Sequence, residues 1–293
     1  MKVVVSIVNF NTKDLILNCL KSIFEGQKEN EIAVWVVDNA STDTSAEEIK
    51  KNFPKVNLIE NSTNIGFGAG HNIVLRRAKG DYFLILNSDC EILDGVIDEM
   101  VIFMESNKGC GISSCKILGF DGKLQPNAGD LPFGMAILNW LFNLEIFGVK
   151  QSFHRNESSY YGGIHEVGWV SGNFMMIRDS LMKKTGYFNE SFFMYFEDAE
   201  FCYRAKKAGY KVMLNPQVSI KHLSGGSLDD PKLRQWSGEY KGLILFYNQT
   251  YGLFMASLVR LLVYLSAIGR IIAYGLKGNL KFSNTYAKTI FNI

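Results

Sequence analysis

The sequence predicts an α/β fold with a mainly parallel sheet flanked by helices, followed by a helical, amphipathic C-terminal extension. In the first 117 residues, short β-branched runs alternate with amphipathic stretches, which is the pattern of strands and crossover helices. The runs are almost continuously apolar, which indicates strands buried on both faces. Because 47% of the 293 residues are hydrophobic, the chain can bury a large core. Disorder, collagen-like repeats and a disulfide scaffold are therefore excluded as its main organisation.

The first part of the chain supplies five expected strands and the four helices that connect them. The strands are expected over residues 3–8, 32–37, 56–59, 82–86 and 111–116, and the helices over residues 13–24, 45–52, 68–78 and 95–105. Residues 118–165 break this alternation with Gly, Asn, Pro and aromatic residues. We expect a long functional loop there.

The second half is expected to complete the same sheet. The pattern favours a strand over residues 169–177, a helix from about Asp198 and two short strands around Val212 and Val218. From about Leu228 to Lys277 the chain is expected to be helical.

The C-terminal extension combines positive charge with an apolar stripe. The whole chain has 31 basic and 29 acidic residues, but residues 241–293 contain no Asp or Glu and carry Lys241, Arg260, Arg270, Lys277, Lys281 and Lys288. Apolar residues recur at steps of four and three at Phe254, Leu258, Leu261, Leu265, Ile268 and Ile272. Arg260, Ser266, Arg270 and Lys277 lie on the opposite arc.

This pattern favours a helix lying on an anionic membrane surface. The alternative is a helix that packs on the domain or on a second copy in a homodimer. Two arginines inside the stretch argue against a true span, because each is costly at the bilayer centre. The charge asymmetry also argues against nucleic-acid binding.

Cysteine usage and the N-terminus bear on the compartment. The five cysteines lack zinc spacing, and residues 1–10 lack the long apolar region of a signal peptide. We therefore expect a cytoplasmic protein, peripheral on the cytoplasmic face of the inner membrane.

Two polar motifs follow predicted strands on the side where open α/β sheets bind ligands. Asp38 and Asp43 follow the second strand, where a carboxylate can accept a hydrogen bond from a nucleobase or a ribose hydroxyl. An Asx turn with a helix cap is the alternative. After the fourth strand, Asn87 and Asp89 offer oxygens that suit Mg²⁺ or Mn²⁺ bound through nucleotide phosphates. A capping Asp is the alternative there.

The glycines between Asn64 and Asn72 lead into a predicted helix whose N-terminus can face a diphosphate. They follow the third strand rather than the first, and they alternate, so they do not match the dinucleotide fingerprint. A nicotinamide-dependent dehydrogenase is therefore disfavoured. A sugar-phosphate nucleotidyltransferase is disfavoured because no basic glycine-rich loop follows the first strand.

The clearest signal is the acidic and aromatic segment of residues 192–204. Glu197, Asp198 and Glu200 sit among aromatic residues at the start of a predicted helix. Apolar surroundings can raise the pKa of a carboxyl group, which makes a general base competent near neutral pH. The alternative is helix capping with an ion pair between Glu200 and Arg204. His222 follows a short strand and is either a metal ligand or a structural histidine.

In this order the motifs resemble the family 2 inverting glycosyltransferases with the GT-A fold, in particular the bacterial rhamnosyltransferase-like branch acting on cell-surface polysaccharides. The resemblance rests on SIVNFN (6–11), VDNASTD (37–43), NIGF (64–67), LNSD (86–89), GNFM (172–175), GYFNE (186–190) and ED (197–198). It implies a glycosyltransferase domain over residues 1–227, with a nucleotide-sugar half (1–117) and an acceptor and catalytic half (118–227). A membrane-associating segment over residues 228–293 would follow.

The resemblance also implies a role for each site residue. Asp38 would read the nucleobase, and Asp198 would be the base with Glu197 beside it. The nucleotide site would comprise Asn9, Asp38, Asn39, Asn64, Gly66, Asn72, Asn87 and Ser88. Asp89 and His222 would bind Mn²⁺ or Mg²⁺, and the acceptor side would be lined by Trp169, Ser171, Gly172 and Asn173. Core packing is the alternative for Trp169. Asn87 stands where many relatives carry Asp, which leaves fewer charges at the metal.

The implied reaction is one inverting displacement by a metal-dependent hexosyltransferase. The donor would be a UDP- or dTDP-sugar, because a carboxylate can read the same edge of uracil and thymine, and L-rhamnose rests on the resemblance alone. The acceptor would be a hydroxyl of a polysaccharide precursor linked to a polyprenyl lipid. A non-catalytic sugar-binding or scaffold protein of the same fold is the alternative.

Overall fold

The computed structural model describes residues 1–26, 29–223 and 231–293. The strands in these residues are β1 (Lys2–Asn9), β2 (Glu31–Asp38), β3 (Asn57–Glu60), β4 (Tyr82–Asn87), β5 (Cys90–Glu91), β6 (Cys110–Leu118), β7 (Leu124–Gln125), β8 (Ala128–Gly129), β9 (His165–Glu166), β10 (Trp169–Val170), β11 (Phe174–Arg178) and β12 (Lys211–His222). The helices are α1 (Lys13–Glu25), α2 (Ser45–Asn52), α3 (Phe67–Arg77), α4 (Val96–Ser106), α5 (Met135–Phe142), α6 (Asp179–Thr185), α7 (Glu197–Lys207), α8 (Pro231–Tyr251), α9 (Leu253–Leu276) and α10 (Leu280–Phe291). Two 3-10 helices cover Leu144–Phe147 and Ser158–Tyr161.

One mixed sheet organises the molecule, in the order β3-β2-β1-β4-β11-β6-β12-β5. Strands β1 to β4 run parallel, as the alternating pattern predicts. Strand β11 is antiparallel to both of its neighbours, and β6 and β12 are parallel again. Strands β8 and β10 form a separate two-stranded sheet. The predicted mainly parallel α/β architecture is confirmed.

Helices cover both faces of this sheet, so that each face carries its own core. Ile16 and Leu20 of α1 pack on one face together with Met100 of α4. On the other face, Val74 of α3 shares a core with buried residues of α5, α7, α8 and α9. The C-terminal helices therefore pack into the core of the domain rather than forming a detached unit.

Two predictions in the second half were wrong in detail. The expected strand over residues 169–177 is divided between β10 and β11, which belong to different sheets. Between them the chain turns at Gly172, where a Cβ would lie 2.8 Å from the Phe67 ring. The two short strands expected around Val212 and Val218 form the single strand β12, whose register shifts between Asn215 and Ser219.

The expected loop over residues 118–165 is more ordered than predicted, since it contains β7, β8, α5 and both 3-10 helices. The long C-terminal helix is divided at Gly252, which has a φ of +83°. Helix α10 lies beyond Lys277 within the C-terminal segment predicted to be helical, and it is separate from α9. The predicted domain boundary at residue 227 and the predicted helix start at Leu228 lie outside the described residues.

Helix α9 is the one element in the described ranges that is long and apolar enough to cross a membrane, by length and composition only. The predicted stripe is exposed along its whole length, from Phe254 to Ile272. Ser266 and Arg270 lie on the arc opposite the stripe, as predicted, and that arc faces the protein at these two positions, because Ser266 is buried and Arg270 is directed at α5. Arg270 donates hydrogen bonds to the carbonyls of Trp140 and Leu141, and Ser266 also donates to Leu141.

Candidate active site

The nucleotide side of the site begins where β1 and β2 end next to each other. Asn9 and Asp38 are paired at the last position of the two strands. The Asn9 side-chain amide donates to Asp38 Oδ2 at 2.8 Å, and the Ser41 backbone N–H donates to Asp38 Oδ1 at 2.8 Å. Asp38 is only 3% exposed. A carboxylate has about four acceptor positions, so this fixed group can still accept a hydrogen bond from a ligand.

The predicted residues Asn39, Asn64 and Gly66 form one hydrogen-bonded cluster beside Asp38. The Asn39 amide donates to Gly66 O at 3.1 Å and to Asn64 Oδ1 at 3.3 Å, and Gly66 N–H donates to Asn64 Oδ1 at 3.0 Å. Gly66 has a φ of +92°, and a Cβ there would lie 2.4 Å from Phe193 O. The glycine therefore allows the nucleotide side to touch the aromatic segment that precedes α7.

Asn72 does not face this space, although it was predicted to bind the nucleotide. Its amide donates to Phe188 O and to Glu190 Oε1, both at 2.8 Å, and its Oδ1 accepts from Phe188 N–H. With no exposed surface, it fastens the loop after α6 to α3. The neighbouring His71 is also buried, its Nδ1 lies 2.8 Å from Ser6 Oγ, and burial lowers its pKa to about 3.

The predicted metal residues come together at the far end of the sheet. Asp89 Oδ1 lies 3.1 Å from His222 Nε2, because β5 and β12 are paired at Cys90 and His222. The Asn87 amide nitrogen lies 3.4 Å from the same histidine nitrogen. Ser88 is buried nearby, with its hydroxyl 2.9 Å from Thr12 Oγ1.

Gln125, which was not predicted from the sequence, contacts the His222 ring on the side away from Asp89. Its Oε1 lies 2.7 Å from His222 Nδ1, while its amide donates to the His222 carbonyl at 2.9 Å. Because an amide oxygen can only accept, this contact places a ring proton on Nδ1 and leaves Nε2 as the ring nitrogen that faces Asp89. Such an outer partner typically fixes the orientation of a metal-binding histidine.

The donor set at this position fits Mn²⁺ or Mg²⁺. Asp89, Cys90 and His222 each offer an atom within 4.8 Å of the others. Burial, followed by the charge of Asp89, raises the pKa of the Cys90 thiol well above its ordinary value, and thiolate sulfur suits softer ions than Mn²⁺ or Mg²⁺. One carboxylate and one imidazole remain. Two such ligands are sufficient for an ion that also binds substrate phosphates.

The predicted base lies at the N-terminus of α7. Gly172 N–H donates to Asp198 Oδ2 at 3.2 Å, and Ala199 N–H donates to Asp198 Oδ1 at 2.7 Å. Burial raises the pKa of Asp198 to about 6, although both hydrogen bonds act in the opposite direction. A carboxyl with this pKa is mostly ionised at pH 7 and is still basic enough to take a proton.

Glu197 differs from its neighbour because it is fully enclosed. It is 4% exposed and its Oε2 has no hydrogen-bond partner among the described residues. Burial and the charge of Asp198 raise the pKa of Glu197 well above its ordinary value. Its surroundings therefore favour the uncharged form more than those of an exposed glutamate do. For Glu200 the structure supports the alternative of an ion pair, because its carboxylate accepts two hydrogen bonds from the Arg204 guanidinium.

The backbone immediately before the base is strained. Tyr195 and Phe196 have φ values of +73° and +74°, which are costly for residues with a side chain. Helix α8 packs closely on this segment, because a Cβ at Gly238 or Gly242 would lie 2.5 Å from the Tyr195 or Phe196 side chain, respectively.

Helix α8 also carries a third carboxylate whose charge interacts with the base, Glu239, which was not predicted from the sequence. Burial raises the pKa of Glu239 to about 7, and the charge of Asp198 adds to this effect. Gln235 donates a hydrogen bond to Glu239 at 2.9 Å. The pair of glycines four residues apart was the available sequence signal for a helix that approaches another segment closely.

Of the four predicted acceptor residues, all within the described ranges, Gly172 and Asn173 form hydrogen bonds with other predicted site residues, whereas Ser171 and Trp169 do not. Gly172 bonds to Asp198, and the amide nitrogen of Asn173 lies 3.2 Å from both ring nitrogens of His222. Ser171 Oγ is buried without a partner in the described part of the chain. Trp169 is 5% exposed and donates to Phe153 O, so the structure supports the core-packing alternative for this residue.

Comparison with known proteins identifies the family. Residues 4–161, more than half of the chain, match the sequence profile of glycosyl transferase family 2. The chain belongs to this family. Residues 124–285 match the related profile of glycosyl transferase family group 2. The predicted family and the predicted class of enzyme, a glycosyltransferase, are confirmed.

Named relatives agree with this assignment. The chain is 25% identical over 234 residues to the N-acetylglucosaminyl-diphospho-decaprenol L-rhamnosyltransferase of Mycobacterium tuberculosis, covering 74% of this chain and 75% of that one. It is 29% identical to a low-salt glycan biosynthesis hexosyltransferase of Haloferax volcanii, over 70% of this chain and 62% of that one. It is 26% identical to the rhamnosyltransferase WbbL of Escherichia coli, over 54% of this chain and 60% of that one.

Solved structures with the same fold support the predicted GT-A architecture. S. aureus TarS (residues 1–349) aligns with a TM-score of 0.58 at 18% identity, covering 100% of this chain and 80% of that one. The mannosyltransferase PcManGT from Pyrobaculum calidifontis, solved in complex with GDP-Man and Mn²⁺, aligns with a TM-score of 0.59 at 16% identity, covering 99% of this chain and 85% of that one.

Proposed function

We propose that this glycosyltransferase moves a sugar, with inversion, from a UDP- or dTDP-sugar to a hydroxyl group of a lipid-linked saccharide. One observation carries the proposal. Consecutive residues contact the two ends of the site, because Gly172 bonds to Asp198 and Asn173 contacts His222. The base and the metal ligands therefore flank the same space.

Asp198 is the base of the proposed reaction. Its carboxylate accepts the proton of the acceptor hydroxyl while that oxygen forms a bond to the anomeric carbon of the donor. The bond from the anomeric carbon to the diphosphate oxygen breaks on the opposite face, so the configuration inverts and a nucleoside diphosphate leaves. Burial and the charge of Asp198 raise the pKa of Glu197, so the pair favours a single charge, and Asp198 is the member whose two oxygens are held by backbone N–H groups.

Asp89 and His222 are the residues that would hold a divalent cation. When bound, such a cation supplies positive charge to the departing diphosphate. Gln125 keeps the His222 ring oriented for this role, and Asn87 and Asn173 contact the same ring.

Asp38 is the proposed reader of the nucleobase. Its carboxylate is fixed by Asn9 and Ser41 at the carboxyl ends of the parallel strands, which is where ligands bind in open α/β sheets. A carboxylate acceptor suits the N3–H group that uracil and thymine share. The relatives named as rhamnosyltransferases support L-rhamnose as the sugar.

The proposed acceptor is linked to a lipid and is met at the cytoplasmic face of a membrane. The relative from Mycobacterium tuberculosis carries a diphospho-decaprenol acceptor in its name. The exposed apolar stripe of α9, next to a chain segment with no acidic residue, suits contact with anionic lipids.

Thermal-shift binding tests the donor site directly. UDP, dTDP and GDP are added to the full chain with and without Mn²⁺, since a ligand that binds the native state raises the melting temperature. We expect a metal-dependent shift with UDP or dTDP that is lost in Asp89→Ala. Asp121→Ala is the matched control, because Asp121 is exposed and pairs only with nearby Lys123 among the described residues. A folded protein that shows no shift with any nucleotide would refute the proposed donor class.

A further inference from the structure

Helix α9 exposes an apolar stripe to the outside and directs two of its polar side chains towards the protein. Ser266 and Arg270 of α9 face the protein, where they donate hydrogen bonds to the last carbonyls of α5. The opposite face exposes the apolar stripe, and Phe254 is 81% exposed. The 3-10 helix that follows α5 also exposes two large apolar residues, Ile146 and Phe147. Helix α9 therefore buries Val259 and Val263 on the same face as these two polar residues, and it leaves the larger apolar residues of the stripe exposed.

A small groove runs beside this stripe, between α8 and α9. It has a volume of about 190 Å³ and is lined by apolar and small polar groups, including Ile244, Ala256 and Ser257. At about 100° per residue, Ser257 and Arg260 lie on the arc of α9 between the buried face and the stripe. The groove therefore opens along one edge of the apolar surface.

Two cations line the groove, Lys241 from α8 and Arg260 from α9. No ion pair found in the described ranges includes either of them, and the chain from residue 241 onwards has no Asp or Glu. Two positive groups on apolar walls are suited to an anion that carries an apolar chain. At about 30 Å³ per water, the volume is that of roughly six waters, which is enough for a phosphate group.

We propose that this groove binds the phosphate of an anionic membrane lipid, with Lys241 and Arg260 as its ligands. The lipid's acyl chains then extend along the stripe of α9, which lies in the membrane surface. The inference rests on the membrane contact in the proposed function, and it adds a defined lipid site to that contact. The cations and the apolar stripe are adjacent, which matches the adjacent phosphate and acyl regions of a lipid.

A monomeric short-chain lipid tests the site without a membrane. Dihexanoylphosphatidylglycerol, below its micelle concentration, is titrated into the full chain and its binding is measured by calorimetry. We expect saturable binding at one site, weakened at least ten-fold in Lys241→Ala/Arg260→Ala. The control Lys277→Ala/Lys281→Ala removes the same charge from exposed positions of the same segment, and its affinity is expected to stay within two-fold of that of the unmodified chain.

A vesicle assay extends the test to a bilayer. Co-sedimentation with phosphatidylcholine vesicles containing 30% phosphatidylglycerol is expected to fall about five-fold for each groove cation removed, at low salt. The proposal is overturned if both double variants lose affinity equally, because the charge then acts only diffusely. It is also overturned if inorganic phosphate binds as tightly as the short-chain lipid. The Mn²⁺-dependent nucleotide shift is measured on the same variants, and it is expected to be unchanged. Loss of lipid binding in the groove variant with an intact nucleotide shift supports the lipid site. An unmodified chain that shows the nucleotide shift but does not bind the short-chain lipid refutes the lipid site and leaves the transferase proposal standing.

Discussion

Replacing Asp198 with Asn removes the proposed base while keeping the size of the side chain. General-base catalysis typically contributes about 10²- to 10⁴-fold, so kcat is expected to fall by that factor in Asp198→Asn. Nucleotide binding should persist, because the hydrogen bonds to the Asp198 carboxylate come from Gly172 and Ala199 rather than from the nucleotide side.

The same substitution is expected to stabilise the protein above pH 6. Burial raises the pKa of Asp198 from 3.8 to about 6, and a shift of roughly 2 units corresponds to about 3 kcal/mol against the charged form. Asn carries no charge, but it has one acceptor oxygen in place of two. One of the two backbone N–H groups then loses its partner, which costs about 1 kcal/mol. A net gain of about 1–2 kcal/mol would raise Tm by roughly 2–6 °C.

The stability cost of the Asp198 carboxylate is expected to increase with pH. The folded protein binds the Asp198 proton more tightly than the unfolded chain does, so the penalty is absent below about pH 4 and complete above about pH 6. The Tm difference between the variant and the unmodified protein should therefore appear across that window as pH rises. In the unmodified protein kcat should rise with pH and level off above about pH 6, because the base must be ionised.

The assay measures release of nucleoside diphosphate in the presence of acceptor, and differential scanning fluorimetry measures Tm from pH 4 to pH 8. Asp121→Asn is the matched control, since its carboxylate is exposed. The reasoning is refuted if Asp198→Asn keeps kcat within ten-fold of the unmodified enzyme. A lower Tm at pH 8 together with normal nucleotide binding would show that the carboxylate has a structural role instead.

Three further substitutions test other parts of the site. Gln125→Ala should weaken Mn²⁺ binding about ten-fold by electron paramagnetic resonance, whereas the exposed Gln217→Ala should leave it unchanged; equal affinities would remove Gln125 from the site. Gly66→Ala should lower Tm and abolish the nucleotide shift, because the added Cβ meets a backbone oxygen at 2.4 Å. Gly122→Ala has a similar positive φ with open space around it, so a comparable loss there would mean that strain alone is responsible. Cys90→Ala should bind Mn²⁺ as tightly as the unmodified chain, since Mn²⁺ prefers oxygen and imidazole ligands to thiolate, and a large loss would make the sulfur a ligand.

The sequence correctly indicated which polar residues lie together when those residues end a strand or directly follow one. Asp38 ends β2 and Asp89 follows β4, and parallel strands bring their carboxyl ends to one edge of the sheet. Gln125 could not be found in this way, because its contact with His222 joins residues 97 positions apart. Asn72 was misassigned because a helix pattern does not specify which way a polar side chain is directed in a crowded core.

The C-terminal segment shows a different limit of sequence analysis. The periodicity correctly separated the two faces of α9, but it did not show whether the side with Arg270 is directed towards the protein or away from it. The structure turns that side inwards, because the final carbonyls of α5 need hydrogen-bond donors and Arg270 supplies them. A helical wheel contains no information about which neighbour needs a donor, so polarity alone could not assign the outer face.

The strained segment before α7 connects this C-terminal extension to the chemistry. Two successive residues with positive φ, Tyr195 and Phe196, cost of order 1–3 kcal/mol each, so their conformation must be held by surrounding contacts. Helix α8 provides those contacts through Gly238 and Gly242, and the strained residues position Asp198 at the start of α7. The inner face of the extension thus supports the base, while its outer face carries the stripe and the groove. Truncation would remove both functions at once, so only point substitutions on the outer face can separate membrane contact from catalysis.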